Sequence, residues 1–137
     1  MKKRLKTKMK AVVLVPLLPK TYGPIKLPGW DKQVIENPAN IIRVEANNKN
    51  CIIVQHEVKD NLFPTMSLKA FETNLDPAMF YHAHRKHNIN FHHGKSYKYV
   101  CKEIIATMSD GFAVPVSRQR VAGFETMVKN FPNFLLE

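Results

Sequence analysis

Cysteine is nearly absent from this chain: Cys51 and Cys101 are the only two in 137 residues, and they show no CxxC spacing. That excludes a disulfide framework, a zinc knuckle and a dithiol redox motif, and it makes a reducing cytoplasm the default compartment. Glycine is scarce at five, and no Gly-rich phosphate loop or GxSxG elbow is present. Neither cysteine stands in a His–acid pattern, so the chain reads as non-enzymatic and without a cofactor. Long apolar runs are missing too. The stretch Ala11 to Leu18 is broken by Pro16 and falls far short of the ~20 residues that a membrane helix needs.

Acids are also few, at 11 against 21 Lys and Arg, for a net charge of +10. Six of the cations, Lys2, Lys3, Arg4, Lys6, Lys8 and Lys10, lie in the first ten residues, which leaves +4 for the rest. A second concentration runs from Phe80 to Lys129, with eight Lys or Arg and three acids. Both fit a polyanion partner. The length and the 45% hydrophobic composition suit one domain with a full core. The expected division is a basic tail with a short apolar segment over residues 1–20 and a folded domain over residues 21–137. The tail has the order of a secretory leader, but Pro16 interrupts the apolar run and Pro19, Lys20 and Tyr22 stand where small cleavage-site residues are needed.

Prolines and glycines from Pro16 to Gly29 allow only short extended pieces such as Ile25 to Leu27. Ile41 to Ala46 and Cys51 to Val58 read as strands of a hairpin, with Asn47 to Asn50 as its polar turn. Leu68, Phe71 and Leu75 are spaced for a short amphipathic helix over Thr65 to Leu75. Met79 to Phe91, Tyr97 to Met108 and Gly111 to Val116 read as strands, cut at Gly94 and at Ser109 to Gly111. Ser117 is placed to cap a final helix carrying Val121, Phe124, Val128 and Phe131, limited by Pro132. The fold class is therefore mainly β.

Two stretches stand out, HAHRKHNIN at His82 to Asn90 and DGFAVPVSRQR at Asp110 to Arg120. Both are cationic, and their arginine forks and amide groups match base edges and phosphate oxygens. The order IIRVEANNKN, SLKAFETNL, FYHAHRKHNIN, DGFAVPVSRQR resembles the LytTR family of bacterial DNA-binding domains, from about Ile25 to Phe131. That resemblance implies an elongated arrangement of small antiparallel sheets with a short middle helix and a C-terminal helix. It implies a transcription regulator whose loops enter the major groove of double-stranded DNA at repeated sites, with two domains, a possible homodimer, on one DNA face. Relatives often carry a receiver domain, so the expectation here is a stand-alone effector domain.

The resemblance places DNA contacts in three stretches: Asn48, Lys49 and Asn50 in the hairpin turn; His84, Arg85 and Lys86; and Arg118, Gln119 and Arg120. An asparagine cluster is equally an ordinary turn. His84 and Lys86 face opposite to Arg85 in a regular strand, so all three reach DNA only if the strand ends or bends there. The start of a final helix adds backbone N–H groups and a positive dipole end to the third stretch. Three departures stand out from the family pattern. Lys86 replaces a small hydroxyl residue, and His87-Asn88 replaces an aromatic and apolar pair, which predicts a more exposed strand. Gly94 replaces an apolar residue, which predicts a looser turn over His92 to Ser96.

Two alternatives remain. His82, His84, His87, His92 and His93 crowd five of the six histidines into twelve residues, which could mark a metal-binding module, although no acid or Cys lies inside the cluster to add a ligand. The other alternative is a protein- or membrane-binding module that uses the basic tail.

Overall fold

The computed structural model describes residues 22–29 and 33–137; the basic tail falls outside them. Its centre is a four-stranded antiparallel sheet in the order β4-β3-β6-β5, with β3 at Ile41–Asn47, β4 at Asn50–Gln55, β5 at Phe80–His84 and β6 at His87–Asn90. Both faces of this sheet are covered. Val44, Cys51, Ile53 and Phe80 pack on one side against Leu68, Phe71 and Leu75 of the middle helix segment and against Ile25, Leu27 and Ile35. Ile42, Val54, Ala83, Ile89 and Phe91 pack on the other side against the second sheet. Burial on both faces explains why CIIV is a continuous apolar run and not an alternating one, and why Arg43 within IIRV is buried as well.

The second sheet takes the order β10-β7-β8-β9, with β7 at Gly94–Val100, β8 at Glu103–Met108, β9 at Ala113–Val116 and β10 at Leu135–Leu136, which pairs parallel to β7. Helix α2, Val121–Val128, closes its core through Phe124, whose ring lies 5.0 Å from Phe91 and 5.4 Å from Phe134. A two-residue pair, β1 (Ile25–Lys26) with β2 (Val34–Ile35), lies over α1, Leu68–Glu72. The Ser67 side chain accepts from Ala70 N at 3.1 Å and caps α1.

Several sequence expectations change. Met79 to Phe91 is a hairpin turning at Arg85-Lys86, and Tyr97 to Met108 is another, turning at Cys101-Lys102. The helix expected over Thr65 to Leu75 is limited to Leu68–Glu72. Gly94 makes no loose turn. It is buried at the start of β7, where an added Cβ would stand 2.2 Å from the Phe134 ring. The Phe134 ring fills the space that a side chain would take there. Asn88 is likewise buried and His87 half-buried, so the strand after Arg85 is not exposed.

Candidate nucleic-acid interface

The two turns of the central sheet lie at the same end. Glu45 pairs with His87 across β3 and β6, and Ala46 N donates to Lys86 O at 2.8 Å, so the Asn48-Lys49 turn stands beside the Arg85-Lys86 turn. Asn48 holds φ 56°, a left-handed conformation that asparagine tolerates better than most residues. Asn48, Lys49, Asn50, Arg85 and Lys86 are all exposed. The strand does end at His84, the condition under which neighbouring side chains can face one partner. A register shift between His82 and His84 bends β5 just before it. His84 Nδ1 accepts from Lys86 N at 3.1 Å, so this imidazole shapes the turn.

The third stretch is tied to the second. Ser117 N and Oγ both donate to Ala83 O, at 2.9 and 3.3 Å, and Arg120 Nη1 donates to His82 O at 2.7 Å. The Tyr81 hydroxyl donates to Arg120 O at 2.7 Å. Ser117 therefore does not cap a helix: its hydroxyl is engaged by Ala83, and Arg118–Arg120 form a 3-10 turn ahead of α2. The dipole of α2 begins at Val121 and not at Arg118. Arg118 and Gln119 are exposed, while Arg120 is half-buried and spends one of its donors on the protein. The rest of its fork remains available.

A groove of about 370 Å³ opens between these stretches, lined by His84, Ser117, Arg118 and Gln119 with the apolar Pro115 and Val116, and by Glu103. Sequence reasoning missed the β7–β8 hairpin tip that brings Glu103 there. Its signal was the polar interruption Cys101-Lys102-Glu103 inside an otherwise apolar run. Beneath the face, Arg43 is buried between Glu45 and Asp110, 3.0 Å from each, with its guanidinium 3.8 Å from the Phe112 ring centroid. Cations and carboxylates are thus matched inside, while Lys49, Arg85, Lys86 and Arg118 stay outside with no ion-pair partner among the described residues.

The histidines disperse. His82 Nδ1 lies 2.8 Å from Glu72 Oε2, His93 Nε2 lies 2.8 Å from Ala39 O, and His92 stacks edge-on against Phe131. His84 and His87 are neighbours, with ring centroids 5.5 Å apart, and His93 instead pairs with His56 at 5.1 Å. Burial lowers both their pKa values; Arg85 and Lys86 add to the effect at His84, and at His87 Glu45 opposes it. Among the described residues, no three His, Cys, Asp or Glu side chains are grouped to hold a metal ion. The amides of HNIN also turn inward. Asn90 donates to Ala39 O and Ile41 O, and Asn88 donates to Glu72 at 2.7 Å.

A profile of the LytTr DNA-binding domain matches residues 31–129. Among solved structures, the fold is similar to the LytTr DNA-binding domain of a protein described as a methyl-accepting/DNA response regulator from Bacillus cereus. The TM-score is 0.64 at 24% identity, over 77% of this chain and 96% of that one. No curated protein matches the chain. Among the described residues, no helix is long and apolar enough to cross a membrane.

Proposed function

This chain belongs to the LytTR family of DNA-binding domains, and from that premise we propose that it is a sequence-specific, non-enzymatic transcription regulator of the cytoplasm that reads the major groove of double-stranded DNA at repeated sites. One observation carries the reading. The three polar stretches, far apart in sequence, are joined by backbone hydrogen bonds, Ala46 to Lys86 and Ser117 to Ala83, into one exposed cationic edge. Turn side chains on that edge can reach base edges without a recognition helix. The proposed contacts are Asn48, Lys49, Asn50, His84, Arg85, Lys86, Arg118, Gln119 and Arg120. Two copies pair on DNA in this reading, one at each repeat.

The roles divide by chemistry. Arg85 and Arg118 present free planar forks that suit guanine O6 and N7, whereas Lys49 and Lys86 are point charges that suit phosphate. Arg120 supports the turn through His82 O and offers its remaining donors to the backbone. Selection of bound sequences from randomised DNA should therefore enrich a repeated motif. Arg85→Ala or Arg118→Ala should then cost about 1–3 kcal/mol on that motif and relax one base position. Lys49→Ala and Lys86→Ala should weaken all sequences alike, each flattening the log–log salt slope by about 0.9. Equal losses on motif and random DNA for both arginine variants would remove the base-reading assignment.

A further inference from the structure

We infer that Glu103, at the tip of the β7–β8 hairpin, adds a fourth stretch to the contacts on this edge and takes the exocyclic amino group of a cytosine; this rests on the DNA-reading function proposed above. Val100 pairs with Glu103 to close the hairpin, and Ile104 pairs with Val116, so the tip lies level with Ser117. Glu103 therefore shares its groove with His84, Arg118 and Gln119. Its side chain is exposed, and among the described residues no hydrogen bond or ion pair engages the carboxylate. Other carboxylates near the edge and behind it are engaged: Glu45 and Asp110 by Arg43, Glu72 by His82 and Asn88, and Glu125 by the Tyr99 hydroxyl.

An unneutralised carboxylate repels phosphate, so on a DNA-facing edge it lowers affinity for every sequence. A hydrogen-bond donor on the DNA offsets that repulsion, because an ionised carboxylate only accepts. The major groove offers two base donors, cytosine N4 and adenine N6. Adenine sets its N7 acceptor beside its amino group, where it repels a carboxylate. Cytosine has no acceptor there, and Pro115 and Val116 give its C5 edge an apolar wall. Cytosine is therefore the base that this groove selects.

The test is selection from randomised double-stranded DNA with the full chain and with Glu103→Ala and Glu103→Gln. The wild-type chain should enrich a motif containing a C·G position. Glu103→Ala should lose about fivefold or more of the preference at that position while binding random DNA more tightly. Glu103→Gln should move the preference toward adenine, whose N6 and N7 match an amide. A wild-type motif retained unchanged at every position by both variants would overturn the inference and leave the DNA-reading function standing. If the wild-type chain enriches no motif, the proposed function falls and this inference falls with it.

Discussion

Arg43 illustrates how far a residue's role can lie from its type. In a basic, DNA-binding chain an arginine next to Val44 and Glu45 reads as another surface cation. Instead it is 9% exposed and joins the central sheet to the β8–β9 turn through Asp110. Replacing it by alanine strands two partly buried carboxylates, and a buried pair broken from one side typically costs about 3–5 kcal/mol. Asp110 and Glu45 keep 19% and 33% side-chain exposure, so Arg43→Ala should lower unfolding stability by roughly 2–4 kcal/mol, measured by urea titration. A loss below about 1 kcal/mol would mean that water already screens this pair. Cys51 shows the same separation of type from role. Burial pushes its thiol up to about 11, which leaves it a core residue and not a reactive thiolate.

At the scale of elements, the Arg118–Arg120 turn depends on a neighbour that is remote in sequence. Gly123 in α2 is where the Tyr81 hydroxyl reaches in to Arg120 O, and an added Cβ would lie 2.3 Å from the Tyr81 hydroxyl oxygen. Gly123→Ala should gain about 1 kcal/mol of helix propensity and lose about 1–3 kcal/mol to the clash. Net stability should fall by about 0–2 kcal/mol, and DNA affinity should fall several-fold because the turn loses one of its anchors. Tyr81→Phe removes the hydrogen bond without the clash and should reproduce the affinity loss. Wild-type binding by both variants, in an equilibrium titration, would show that the turn holds its position without Tyr81.

At the scale of the whole molecule, pH should move stability and DNA binding in opposite directions. His84, His87 and His93 all have pKa values lowered from 6.5, with burial the largest cause in each. The unfolded chain then binds protons more readily than the folded one, so stability is complete above about pH 6.5 and is lost as pH falls through the folded-state values. In the proposed complex, DNA would reverse the local field at His84, because phosphates favour the imidazolium that Arg85 and Lys86 oppose. Binding should take up protons. Melting temperature should be lower at about pH 5.5 than at about pH 7.5, while DNA affinity should be higher. Affinity that is indifferent to pH would place His84 away from the phosphates.

The sequence by itself determined the mainly β class, the central hairpin, the middle helix near Leu68 and Phe71, and the DNA-binding family. The class, hairpin and helix follow from local chemistry, apolar run length and turn residues, whereas the family came from a resemblance in the order of short motifs. It misled where a residue answers to distant neighbours. Gly94 looks like a turn until Phe134 fills the space over it, Ser117 looks like a helix cap until Ala83 takes its hydroxyl, and the Asn88 and Asn90 amides look like base readers until they turn inward. Which cations stay free is a tertiary outcome as well, because Arg43 meets Asp110 only when two sheets stack, whereas Arg85 and Lys86 stay outside at the turn between β5 and β6. Local pattern sets how each segment folds. Only long-range packing decides which polar groups are consumed inside and which are left to meet a partner.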